Sequence, residues 1–162
     1  MAKFFLKDIV DDLEVASDER FSYVDRQTGK VESVSREVLA IAEESGTIDD
    51  VLEWQEHEFE VAQAKFADWD RFEKLPTKFD IHEWEIMREF AESVEPEQFS
   101  DDLQNAIRGA GAFRYFKDTL HRYRREKEWY AFRDDALRQI AIDWCEEHGI
   151  EYVEGRSFEA EG

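Results

Sequence analysis

A single cysteine, Cys145, stands in the 162-residue sequence. No internal disulfide can form from it, which fits a reducing compartment. Two prolines and seven glycines leave no low-complexity tract, and no clean repeat is visible. No apolar run approaches the ~20 residues needed to cross a bilayer. The opening MAKFFLKDIVDD has too short an apolar core for a secretory signal and turns acidic at once. The expectation is a soluble cytoplasmic protein with no membrane role. Positive charge is scarce too: 21 Lys and Arg face 41 Asp and Glu, a formal net charge of −20. That balance favours solubility and repels nucleic acid and anionic membranes at long range. The same acidity is suited to imitating a DNA backbone, and a salt-adapted host would show a similar composition.

What the sequence does have is a core. Hydrophobic residues make up 42% and aromatics 14%, which argues for a packed globule rather than a disordered chain. The length suits one domain. Phe5, Ile9 and Leu13 share a face of a first helix that ends near Ser17. RFSYVDRQTGKVESVS then alternates with period two around a turn at Gly29, and reads as a β-hairpin. Ser35 is placed to cap a helix through Val38, Leu39 and Ala42 that stops at Gly46. Residues 48–69, with Val51, Leu52, Trp54, Phe59, Val61, Ala62, Phe66 and Trp69, read as one long helix. RFEKLPTK, with Pro76, reads as an extended connector and hinge.

Asp80 and Glu83 look like a capping pair opening a helix whose buried face is Ile81, Trp84, Met87, Phe90, Ala91 and Val94. SDDLQNAIRG gives a short helix, Gly109 and Gly111 a corner, and residues 112–125 the next helix. A last helix over 128–148 turns Trp129, Phe132, Ala136, Leu137, Ile140, Trp144 and Cys145 inward and stops at Gly149. IEYV at 150–153 is expected to add an edge strand to the hairpin, and residues 155–162 to form an acidic frayed tail. The fold class is mainly α with a small antiparallel sheet. It is expected as a single domain over 1–154, with a helix–hairpin–helix part at about 1–70 and a helical part at about 80–149.

The blocks KFDIHEWEIMREFAESV, AIRGAGAFRYFKDTLHR and EWYAFRDDALRQIAIDWCEEHGI, with the hairpin YVDRQTGKVESVS, resemble the bacterial proteins grouped as uncharacterised protein family 0158. The likeness covers roughly residues 5–152. It implies a bacterial cytosolic protein and carries over no catalytic residues, so function has to be read from the residues themselves.

One segment opposes the general charge. Between Arg108 and Lys127 stand seven bases and two acids, a net of +5, which leaves −25 for the rest. At about 100° per residue, Phe113, Phe116, Leu120 and Tyr123 share one face of a helix. Arg114, Lys117, His121 and Arg124 follow one residue later as a second, cationic stripe. Two readings follow. The bases face the protein's own acidic helices and relieve self-repulsion, or they bind phosphate through Arg108, Arg114, Lys117, His121, Arg124 and Arg125, with Tyr115 or Tyr130 stacking on a base. The GAG at 109–111 is not a P-loop, because it lacks the Gly-Lys-Ser/Thr ending.

The other constellations carry less. His57 with Glu60, and His82 with Glu85, lie three apart on expected helices, but the order is reversed from a Glu-x-x-His pair and the set is incomplete. No metal or cofactor is expected. Cys145 falls on an inward stripe and is followed by Glu146 and Glu147, the opposite of what activates a thiol. His121 has no nucleophile paired with it, and His148 suits a helix's last turn. Adjacent carboxylates such as Asp11–Asp12 and Asp101–Asp102 abound by composition and point in different directions on a helix, so no acid–base pair stands out. The reading is a non-catalytic binding or regulatory protein that recognises a protein partner. The alternatives are nucleotide or nucleic-acid binding through the cationic stripe, mimicry of nucleic acid by the acids of residues 49–70, and an enzyme whose catalytic residues the sequence does not single out. Oligomeric state stays open.

Overall fold

The structure is a computed structural model and describes residues 2–44 and 46–161. Gly162, the end of the expected tail, lies outside them. The fold is α+β, mainly helical, with a three-stranded antiparallel sheet and a short parallel pair. The chain divides into two compact units, Met1–Ile81 with Ile140–Gly162, and His82–Gln139.

In the first unit, Phe4–Phe5 form β1 and Leu6–Glu14 form α1. The helix starts one residue later than its apolar spacing suggests, because Phe4 and Phe5 pair in parallel with Tyr152–Val153, a strand numbered β5 below. Leu6, Ile9, Val10 and Leu13 are its buried side chains. The hairpin forms as expected, with β2 at Arg20–Asp25 and β3 at Val31–Ser35. Gly29 takes φ 80° at the turn and donates to the Asp25 carbonyl at 2.7 Å. A side chain there would run into the Lys3 backbone, so only glycine closes this turn. Ser35 caps α2, Arg36–Glu43, by accepting from the Val38 amide at 3.2 Å.

The long helix expected over 48–69 is not continuous. Two single 3₁₀ turns, Ile48–Asp50 and Glu53–Gln55, precede α3, Glu56–Ala67. The cause is local: Asp50 accepts from the Thr47 amide at 2.7 Å and Gln55 from the Leu52 amide at 3.0 Å. Such side-chain bonds compete with helix propagation. Leu52 and Trp54, expected in the buried stripe, are instead exposed, as is Trp69 beyond the helix. The acids of this region are therefore spread over turns and a shorter helix rather than along one rod.

The connector expected to act as a hinge is partly a strand. Phe72–Lys74 forms β4 and supplies the third strand of the sheet, in the order β3-β2-β4. This corrects the edge-strand assignment: β5, Tyr152–Val153, joins β1 and not the hairpin. Tyr23, Val34, Val38, Phe59, Ala62 and Phe72 form the core over this sheet. Thr77, not Asp80, opens the short helix α4, Lys78–Ile81, with its hydroxyl and amide exchanging bonds with Asp80. Where residues 155 onward were expected to fray, Ser157–Glu161 forms α9. The Arg156 guanidinium reaches the Asp11 carboxylate at 2.6 and 3.0 Å, and the Ser157 amide donates to Asp8 at 3.1 Å.

The second unit is helical. It holds α5 at Glu83–Ser93, α6 at Glu97–Ala106, α7 at Ala112–Tyr123 and the first part of α8, Glu126–Glu147. On α5 the buried set is Ile86, Met87, Phe90 and Ala91. Trp84 turns partly outward and donates its indole N–H to the Ile107 carbonyl at 3.0 Å. Phe90, Phe116, Trp129 and Phe132 pack as an aromatic cluster with centroids 4.8–6.5 Å apart. Burying rings of this size contributes about 2–3 kcal/mol each. From residue 140 on, α8 belongs to the first unit. There Ala141, Trp144 and Cys145 are buried. No helix among the described residues is long and apolar enough to cross a membrane.

Candidate functional site

The cationic segment lies on α7 and its two ends. The buried arc of α7 is Ala112, Phe116, Thr119 and Leu120, with Tyr123 half-buried. Phe113, expected inward, is about half exposed. The hydrophobic arc is centred near Phe116 and Thr119, so Phe113 falls at its margin. Arg114, Lys117 and His121 are all exposed, roughly 130–170° from the middle of that arc at about 100° per residue. Arg108, in the corner before α7, and Arg124, after it, are also exposed.

The bases divide into two groups. Arg122 pairs with Asp102 at 3.2 Å, while the Tyr123 hydroxyl donates to the same carboxylate. Arg125 is engaged on three sides. It donates to Glu128 at 2.6 Å and to the Glu95 carbonyl at 3.1 Å, and it lies 4.7 Å from the centre of the Phe99 ring. The Tyr123 hydroxyl bond and the Arg122 charge hold the Asp102 carboxyl below its usual range, and Arg125 does the same for Glu128. These bases are tied to their own unit's carboxylates. Arg108, Arg114, Lys117 and Arg124 make no ion pair among the described residues. His121 comes only within 3.9 Å of Glu126.

Two features shape the exposed group. The Arg114 guanidinium sits 5.7 Å from the centre of the half-exposed Tyr115 ring. Arg124 adopts φ 58°, ψ 42°, a left-handed conformation that costs a side-chain-bearing residue about 1 kcal/mol. Tyr130 is exposed on α8, and no ring contact joins it to the α7 cations among the described residues.

The remaining candidates fall apart in space. His57 meets Glu32 at 2.9 Å rather than Glu60, and Glu85 pairs with Arg88 at 2.8 Å rather than with His82. No group of three or more His, Cys, Asp or Glu side chains converges as a metal site among the described residues. Cys145 is fully buried. Burial above all, with the charge of Glu146, pushes its thiol up to about 11.

A cavity that the sequence does not foreshadow opens in the first unit. Its volume is about 170 Å³, and its walls come from the end of α1, from β2 and β3, and from residues 75–77. Asp12, Ser17, Arg20, Ser22, Ser33 and Thr77 supply its polar lining. The Ser22 hydroxyl donates to one Asp12 oxygen at 2.7 Å. Arg20 is fixed by the Ser33 hydroxyl and carbonyl at 2.9 and 3.1 Å and by the Glu58 carboxylate. Asp12 was visible in the sequence only as one of many adjacent carboxylates, and no spacing signal joins it to Arg20 or Thr77.

Taken together, this is an α+β protein with an exposed cationic helix and, among the described residues, no cluster of three or more metal-ligating side chains. The chain belongs to the Uncharacterised protein family (UPF0158), whose model matches residues 3–162. It is 31% identical over 67 residues to UPF0158 protein PA5073 of Pseudomonas aeruginosa. That match covers 41% of this chain and 44% of the relative, so the chain spans less than half the length of the relative it matches. No solved structure matches.

Proposed function

We propose that this protein is a non-catalytic binding module that recognises an acidic segment of a partner protein through Arg108, Arg114, Lys117 and Arg124. The observation that supports this reading is their lack of ion pairs among the described residues of a chain carrying 41 acids. Bases that served only to relieve self-repulsion would sit against carboxylates, as Arg122 and Arg125 do. From Arg114 to Arg124 the helix advances roughly 15 Å, room for a short run of acidic side chains. A long polyanion would extend over the rest of a surface whose net charge of −20 repels it.

A second reading, phosphate of a nucleotide or single strand, draws on one observation: the Tyr115 ring beside Arg114 offers a stacking face. Fluorescence anisotropy separates the two. A labelled Asp/Glu-rich peptide should bind, and the Lys117→Glu/Arg124→Glu double variant should lose that binding while its melting temperature stays nearly unchanged. Preference for a labelled oligonucleotide over the peptide, with steep weakening by salt, favours the second reading. Peptide binding that survives the double reversal overturns the first reading, and oligonucleotide binding that survives it overturns the second.

A further inference from the structure

We propose that the cavity at the end of α1 is a binding site for a small free amino acid, with Asp12 taking the ammonium group and Arg20 the carboxylate. This inference is independent of the α7 ridge.

Both side chains line one cavity, yet they make no ion pair with each other, and each keeps an unused group. Asp12 has one oxygen bonded by Ser22 and none of the described residues on the other. Arg20 uses its Nε and one terminal nitrogen on Ser33 and Glu58, leaving the second terminal nitrogen without a partner among the described residues. Those same bonds hold the guanidinium rigid, so little side-chain freedom is lost when a ligand binds. Burial, partly offset by Ser22 and by the charge of Arg20, pushes the Asp12 carboxyl up from its ordinary value. An ammonium group beside it would remove that cost.

Val15 and Ala16, which also line the cavity, follow the C-terminal end of α1, where helix carbonyls favour positive charge. A cavity lined by one carboxylate and one guanidinium suits a ligand that carries both charges. Size narrows the choice. A cavity of about 150 Å³ holds a benzene-sized molecule, so about 170 Å³ suits alanine, serine or threonine. The hydroxyls of Ser17 and Thr77 give the side chain polar company.

The test is titration of the ¹⁵N-labelled protein with L-alanine, L-serine and L-threonine, following the amides of Val15, Ser17, Ser22 and Thr77. L-Alaninamide, which lacks the carboxylate, and N-acetyl-L-alanine, which lacks the ammonium, serve as single-charge controls. At least one amino acid should produce saturable shifts at these amides, and neither control should. Asp12→Asn keeps an acceptor for Ser22 and should weaken binding about tenfold or more. Ala16→Leu, which fills the space, should abolish it, and serves alone if Asp12→Asn does not fold. No saturable shift with any of the three, equal binding of either control, or undiminished binding by Ala16→Leu overturns the proposal.

Discussion

Asp25 and Arg71 meet in a two-pronged ion pair, with Nε and Nη2 of the arginine donating to the two carboxylate oxygens at 2.9 and 2.8 Å. The pair ties the end of β2 to the turn that enters β4, and Asp25 is almost fully buried. Burial pushes the Asp25 carboxyl up, but Arg71, the Gln27 amide and Thr28 outweigh it and hold the group below its usual value. A carboxyl depressed on folding stabilises the native state above its unfolded pKa, and loses that contribution as pH falls through the folded value. Asp25→Asn should therefore cost about 2–3 kcal/mol in urea unfolding at neutral pH. The gap to the parent protein should close progressively below about pH 4. A gap that stays constant down to strong acid would show that shape, not charge, makes the pair matter.

That same pair explains which parts of the fold were readable in advance. The hairpin was legible because its period-two pattern and the turn at Gly29 are local signals. β4 was not, since a three-residue strand close to a proline gains its place from Asp25, which pairs with Phe72 across 47 residues of chain. The break between residues 48 and 55 escaped because apolar spacing continued through it, while Thr47, Asp50, Leu52 and Gln55 redirected the backbone. On α7 the polar and apolar seams share one helical period, so the outward stripe could be read directly; the pairing of Arg122 and Arg125 could not. The α1 cavity was invisible because four separate segments build it, and only tertiary structure brings them together.

Arg124 offers a direct trade between stability and recognition. Its left-handed backbone follows the last turn of α7, and the Arg125 amide donates back to the Leu120 carbonyl at 3.0 Å. Glycine is the residue that such a helix end prefers. Arg124→Gly should raise stability by about 0.5–1 kcal/mol in denaturant unfolding. It should also weaken the acidic peptide severalfold, because the last cation of the ridge is gone. A variant that is less stable, with peptide affinity untouched, would mean that the arginine serves the fold instead.

Cys145 should be chemically silent in the native protein. Its thiol, raised to about 11 and fully buried, is ionised to roughly one part in a thousand at pH 8. Ellman's reagent should give no reaction with the folded chain at that pH and one equivalent in strong guanidinium. Native reaction faster than global unfolding would reveal an opening of α8 that the packing around Trp144 does not suggest.

The C-terminal segment is held by charge, and that attachment can be reversed residue by residue. Arg156 chelates Asp11, and the Lys7 amide donates to the Gly155 carbonyl at 3.1 Å, so the start of α1 and the approach to α9 hold each other. These groups are partly exposed, so screening keeps the effect on global stability small. Local protection is the sensitive readout. Arg156→Ala and Asp11→Asn should each speed amide exchange at Lys7 and Ser157, and increase cutting after Glu159 by a glutamate-specific protease. Exchanging the charges, with Asp11→Arg and Arg156→Asp in one chain, should restore much of the protection. Parent-like exchange in either single variant would show that the backbone bonds suffice, and rescue by the exchanged pair would assign the anchoring to the ion pair itself.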